Sequence, residues 1–153
     1  MKLGKILEKE RKRSKLSLEE AAARLGIPEA EYRLIEAGDS EAEIWGPALA
    51  EIAVALATPT SRLLAESGRA ADAATGRVGE LIKAHRERRG KSASELAGHL
   101  GLTVEEYEAI ECGRSPIETW GPLLLRFAEM TQQPVFNFFY PCGVPAALLT
   151  DYP

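Results

Sequence analysis

The order of hydrophobic and polar positions along the chain occurs twice. When residues 3–64 are laid on residues 78–139 without a gap, 21 of the 62 pairs are identical, and many of the others pair two apolar residues. The tripeptide Trp-Gly-Pro at residues 45–47 recurs in the same register at residues 120–122. A match of this length in one register indicates a duplicated structural unit.

The apolar spacing at the start of each copy predicts helices. A first helix is expected over residues 2–14, because Leu3, Ile6 and Leu7 lie on one face at helical spacing. A second helix is expected over residues 18–25 and, in the second copy, over residues 93–100. Each of these helices opens with a capping box, in which a hydroxyl accepts from a backbone N–H and a glutamate reaches back. The capping pairs are Ser17 with Glu20 and Ser92 with Glu95.

A glycine turn and a third helix follow in both copies. Gly26 and Gly101 stand where helix C-termini prefer glycine. The third helix of the first copy is predicted to begin at Pro28, since proline suits a first helical turn. In the second copy it begins after the capping box of Thr103 and Glu106.

The remaining pattern completes an all-α prediction of two five-helix units. A polar loop precedes a fourth helix, which we expect to open at the Gly-Pro pairs of residues 46–47 and 121–122. A fifth helix is expected near residues 60–65 and 135–140. The predicted organisation is a first domain (residues 1–66), a short linker of small and polar residues (67–76), a second domain (77–140) and an apolar C-terminal tail (141–153).

Two motifs recur at fixed spacing in both copies. They read Ser17-x-x-Glu20-Ala21-Ala22-x-x-Leu25-Gly26-Ile27 with Ile35-Glu36-x-Gly38, and Ser92-x-x-Glu95-Leu96-Ala97-x-x-Leu100-Gly101-Leu102 with Ile110-Glu111-x-Gly113. Together with the helix order, they resemble the helix-turn-helix domains of the Cro/C1 (XRE) family over nearly all of each repeat. The resemblance implies structural ion pairs between helix one and helix three, Arg11 with Glu36 and Arg86 with Glu111.

The resemblance also implies that helix three reads DNA in the major groove. The family's reading positions fall on Pro28, Glu29, Ala30 and Arg33 in the first copy, and on Thr103, Val104, Glu105 and Glu108 in the second. Counting all their ionisable residues, the two third helices carry net charges of −2 and −4. DNA affinity rests on neutralising phosphates, so this acidity opposes DNA binding.

Two neighbouring features bear on the same question. The loop after helix three is expected to be longer than the family pattern, and in the first copy it carries Asp39, Glu41 and Glu43. Cations near the end of helix one are candidate contacts to phosphates or to a protein partner: Lys12, Arg13, Lys15, Arg88, Arg89 and Lys91. Cations also suit a helix C-terminus without any ligand, and a solvated helix end is the alternative interpretation.

Composition narrows the function classes. The net charge is −4, and the apolar stretches are too short for a signal peptide or a membrane span, so a cytoplasmic protein without a membrane partner is expected. Two cysteines without a Cys/His cluster predict no metal. His85 and His99 lack a nucleophile or carboxylate motif, so we expect surface histidines, no enzyme activity and no cofactor.

Two functions stay open. The favoured one is a tandem helix-turn-helix regulatory protein that acts through protein–protein binding, because its DNA-reading helices are acidic. The alternative is a sequence-specific DNA-binding transcriptional regulator that uses its two units as a pseudo-dimer on two half-sites. The apolar tail is a candidate contact between two copies of the chain, which would make a homodimer.

Overall fold

The computed structural model describes residues 2–56 and 76–132 of the 153-residue chain, and within these two ranges all regular structure is helical. The helices are α1 (Leu3–Arg13), α2 (Leu18–Leu25), α3 (Glu29–Ala37), α4 (Ala42–Ala55), α5 (Arg77–Arg88), α6 (Ala93–Leu100), α7 (Val104–Glu111) and α8 (Ile117–Thr131). The predicted all-α class is therefore confirmed for these ranges. None of the described helices is long and apolar enough to cross a membrane.

The three predicted capping boxes are present and define where α2, α6 and α7 begin. In each box the hydroxyl accepts from the backbone N–H three residues on, at 3.0 Å for Ser17, 3.1 Å for Ser92 and 3.1 Å for Thr103. The α2 and α6 helices end at Gly26 and Gly101, which adopt the left-handed conformation that glycine tolerates best.

The start of the fourth helix differs from the prediction. The α4 and α8 helices begin at Ala42 and Ile117, so each Gly-Pro pair lies at the fifth and sixth helical residues instead of at the opening. The hydroxyls of Ser40 and Ser115 accept from the first N–H of each helix, at 3.0 and 3.2 Å, and thereby fix the earlier start. Position six lies beyond the first turn, so each proline removes one backbone hydrogen bond from its helix, the one to the carbonyl of Glu43 or Glu118.

The third helix also begins later than predicted. Pro28 is extended, with ψ 147°, and precedes α3 as its N-cap residue, so helical geometry starts at Glu29. The predicted fifth helices (residues 60–65 and 135–140), nearly all of the predicted linker and the predicted tail lie outside the described residues.

The helices of the two repeats pack into one core. Within the first repeat α1 contacts α3 and α4, and α2 contacts α3; within the second, α5 contacts α7 and α8, and α6 contacts α7. Between repeats α4 contacts α8, α8 contacts α2, and α4 contacts α6. Buried apolar side chains of both repeats therefore form a single cluster, which includes Leu49, Ile52, Leu124 and Phe127.

Two of the contacts between repeats correspond to each other in the sequence repeat, and α8 also contacts α1. Because the repeat relates α2 to α6 and α4 to α8, the α8–α2 contact corresponds to the α4–α6 contact. Each repeat lays its fourth helix on the second helix of the other, as the subunits of a two-fold dimer do.

Candidate interaction surface

The first helix of each repeat is held at its N-terminus by a carboxylate from the fourth helix. In the first repeat the backbone N–H groups of Leu3 and Gly4 donate to Glu43, at 3.0 and 2.7 Å. These N–H groups have no partner inside their own helix, and a negative charge is favourable at this end of the helix dipole. Glu43 is therefore a helix cap and not a loop charge facing a ligand, which corrects the sequence interpretation.

The same cap recurs in the second repeat. Glu118 accepts from the N–H groups of Gly76, Val78 and Gly79, at 2.7, 3.1 and 2.8 Å. Sequence reasoning missed this role, although Glu43 and Glu118 are identical in the repeat alignment. That identity is the signal by which the cap could have been found.

Close backbone approach explains a second repeated identity. Gly4 and Gly79 face the end of the third helix so closely that a Cβ would lie 2.7 Å from the carbonyl oxygens of Glu36 and Glu111 respectively. Glycine is therefore required for α1 to lie against α3, and for α5 to lie against α7.

The arginine–glutamate pairs join the C-terminal part of the first helix to the same end of the third helix. Arg11 donates to both carboxylate oxygens of Glu36, at 2.6 and 3.1 Å, and its third nitrogen donates to the carbonyl of Leu16 at 2.8 Å. The hydrogen bond from Arg11 to Glu36 outweighs burial and raises the pKa of the arginine. Each member of the pair is less than a tenth exposed.

The second repeat builds an equivalent pair. Arg86 donates to Glu111 at 2.6 and 3.0 Å and to the carbonyl of Lys91 at 2.8 Å. Burial acts to raise the pKa of Glu111, but the hydrogen bonds and charge of Arg86 outweigh it, so the pKa is lowered. Tyr107 packs beside this pair, and burial raises the pKa of its hydroxyl. The cap thus joins the first helix to the fourth and the ion pair joins the first helix to the third, whose outer face is exposed to solvent.

The positions assigned as DNA-reading all lie on that outer face. Their side chains are exposed, with Glu29 half-exposed: Pro28, Glu29, Ala30, Arg33, Thr103, Val104, Glu105 and Glu108. Thr103 additionally caps α7. The structure therefore brings these residues together as two surfaces, one on each repeat. We name them the α3 face and the α7 face.

The outer faces of α3 and α7 carry a less negative net charge than the whole helices, whose ionisable residues sum to −2 and −4. Glu36 and Glu111 are neutralised by their arginines, so the outward charge falls to −1 on α3 and −3 on α7. On the α3 face Arg33 pairs with Glu29 at 2.7 Å. On the α7 face Glu105, Glu106 and Glu108 are all exposed, and the helix carries no basic residue.

The cations near the end of helix one differ in their contacts: some form ion pairs or hydrogen bonds within the chain, and others differ in their exposure to solvent. Lys12 pairs with Glu8 at 2.8 Å and Arg13 with Glu10 at 3.5 Å. Arg89 donates to the carbonyl of His85 at 3.0 Å. Lys15 and Arg88 are exposed, and Lys91 is half-buried. A shallow depression of about 390 Å³ in the first repeat has Lys5, Lys12 and Arg33 on its border, together with Glu8 and Glu36.

The described residues contain no group of three or more His, Cys, Asp or Glu side chains that could hold a metal ion. His99 is exposed as expected, whereas His85 is buried on the inner side of α5, because its place in the helix is one of the core-facing positions. The expectation of a surface histidine is wrong at that position.

Comparison of the chain with protein-family models, with curated proteins and with solved structures found no match.

Proposed function

We propose that the chain is a regulatory protein made of two tandem Cro/C1-like helix-turn-helix domains, whose third helices bind a protein partner instead of DNA. The proposed domains are residues 1–66 and 77–140, and no catalytic step is assigned. The observation that carries the proposal is the α7 face, where three exposed glutamates stand without a basic residue on the same helix.

Electrostatics favours this assignment. A helix that enters the major groove passes between two phosphate backbones, and binding is driven by release of their counterions. Three carboxylates on α7 would add repulsion at that point. A partner with a basic surface instead gains complementary charge, and the exposed Leu34 and Val104 supply apolar contact on the same two faces.

A second function is favoured by a different observation. The α3 face is nearly neutral, and Lys5, Lys12 and Arg33 border the depression beside it. The two-fold-like contact between repeats also suits a pair of DNA half-sites. The alternative is therefore a DNA-binding regulator in which the first repeat supplies most of the phosphate contacts.

Titration of random duplex DNA at 50 and 200 mM salt separates the two proposals. We expect no binding by the wild type at either salt concentration. Reversal of the α7 face by Glu105→Lys with Glu108→Lys should create binding that weakens steeply as salt rises. The matched control, Glu51→Lys with Glu80→Lys, changes the net charge equally but alters exposed sites on α4 and α5, and should stay inactive.

The result against the proposal is tight, salt-sensitive binding by the wild type that the α7 reversal leaves unchanged. For the protein partner, capture from a native extract should be lost in the Glu105→Lys, Glu108→Lys variant. It should persist in Glu80→Lys, which lies outside the α7 face.

A further inference from the structure

We propose that a groove between α4 and the α6–α7 pair binds a segment of a partner protein that presents an aliphatic side chain followed, one helical turn later, by an arginine or lysine. The groove has a volume of about 180 Å³, and its lining includes Trp45, Pro47, Ala48, Glu51, Leu100 and Leu102. This proposal is independent of what the α3 and α7 faces bind.

The chain itself shows which side chains close such a groove. In the related contact, α8 packs on α2, and Leu123 is 2% exposed. One turn later Arg126 donates from Nε to the carbonyl of Leu25, at the C-terminal end of α2, at 3.1 Å. Arg126 thus closes the contact of α8 with the end of α2, and Leu123, three positions earlier on α8, is buried in the cluster that both repeats build.

The repeat register places different residues in the groove. Ala48 stands where the other contact has Leu123, and Glu51 stands where it has Arg126. The aliphatic bulk is therefore missing, and the cation is replaced by an exposed carboxylate.

Side chains at the α4–α6 contact are more exposed than their counterparts at the α8–α2 contact, as expected from these substitutions. Trp120 is 7% exposed and Pro122 is buried, whereas their counterparts Trp45 and Pro47 are only half-buried. At the end of the second helix, Leu25 is 1% exposed, whereas its counterpart Leu100 is half-buried. The α4–α6 contact is thus an open version of the closed α8–α2 contact.

The size and charge of the groove define its occupant. Pockets for small-molecule ligands generally span about 300–1,000 Å³, so this groove suits one or two anchoring side chains of a protein segment. Its apolar walls favour an aliphatic anchor. Glu51 and the carbonyl end of α6, which carries the negative end of the helix dipole, favour a cation beside that anchor.

A fluorescent peptide tests this proposal directly. The probe is an alanine-based helical peptide with one leucine and one arginine three positions apart, titrated against the full chain and mapped by NMR shifts. We expect shifts at Leu100, Leu102 and the Trp45 indole. Ala48→Leu with Glu51→Arg introduces the closing residues, and should weaken binding at least about tenfold.

Exchanging the charges of the peptide and of residue 51 distinguishes specific recognition from a loss of folding in the variant. A peptide with glutamate in place of arginine should bind the wild type at least about tenfold more weakly, and should regain affinity for Glu51→Arg. The control Glu80→Arg lies outside the groove and should change neither affinity. The proposal is overturned by equal binding of both peptides to the wild type, or by shifts confined to other surfaces. It is also overturned by a wild-type dimer in sedimentation that the double substitution dissociates, since a second copy would then occupy the groove.

Discussion

The backbone N–H of Gly4 donates to the carboxylate of Glu43 at 2.7 Å, and Gly79 makes the equivalent bond to Glu118 at 2.8 Å. In both repeats the two residues lie 39 positions apart. A residue in the first turn of the fourth helix thus caps the first helix, and its carboxylate lies at the positive end of that helix. The contact couples the position of α4 to that of α1, and of α8 to that of α5.

Removal of this cap should destabilise the fold. Glu118 accepts from three backbone N–H groups, so Glu118→Ala leaves them without their partner. We expect the free energy of unfolding to fall by about 1.5–3 kcal/mol, the range for hydrogen bonds to charged groups. Urea unfolding followed by circular dichroism measures it. Glu41→Ala removes an exposed glutamate just before α4 and should change stability by less than about 0.5 kcal/mol. Equal losses in the two variants would contradict the cap.

Two helical glycines should respond to alanine with opposite signs. At Gly79 the added Cβ would lie 2.7 Å from the backbone oxygen of Glu111, so Gly79→Ala should cost about 2 kcal/mol through forced separation of α5 and α7. At Gly98 a Cβ would meet nothing within 4 Å, so Gly98→Ala should add about 1 kcal/mol of helix propensity. Thermal unfolding of both variants checks the signs. A stable Gly79→Ala protein would mean that the two helices lie further apart.

Local signals allowed prediction of the helices, whereas contacts between distant residues did not follow from them. The bounds of α2 and α6 are as predicted, because a capping box and a C-terminal glycine act within one turn of the helix. The starts of α4 and α8 were misplaced because Gly-Pro is also typical of a helix opening. The actual starts are set by Ser40 and Ser115, whose hydroxyls accept from the first N–H of each helix.

Protonation of Glu111 should lower stability in acid. Its lowered pKa means that the unfolded chain binds more protons than the folded chain at acid pH, so stability is full above the ordinary glutamate pKa and is lost as pH falls through the folded-state pKa. The dependence of the urea midpoint on pH in this range should flatten in Glu111→Gln. Glu108→Gln, an exposed change on the same helix, should keep the wild-type slope. A wild-type slope in Glu111→Gln would show that other groups cause the acid sensitivity.

The candidate surface was predictable in position but not in charge. The residues of α3 and α7 that the family resemblance assigns are exposed or half-exposed. Formal charges along a helix do not reveal which glutamates are buried against an arginine. Glu36 and Glu111 were counted toward the surface charge, although both are paired with arginine beneath it. The groove beside Glu51 could not be predicted, because it depends on how the two repeats pack.

A shared core predicts that the two repeats unfold together. The chain has two tryptophans, one in each repeat, so Trp45→Phe leaves a reporter in the second repeat and Trp120→Phe leaves one in the first. Phe127 on α8 is completely buried in the cluster that both repeats build. Phe127→Ala should cost about 3–5 kcal/mol and should shift the urea transition of both reporters equally. Thr119→Ala, an exposed change on the same helix, should shift neither.

If Phe127→Ala moved only the Trp120 signal, the repeats would be independent domains and their shared cluster would contribute little cooperativity. Equal shifts would mean that loss of one aromatic ring from the second repeat lowers the stability reported by Trp45 in the first. The α4–α8 contact would then belong to the same folding unit as the contacts within each repeat.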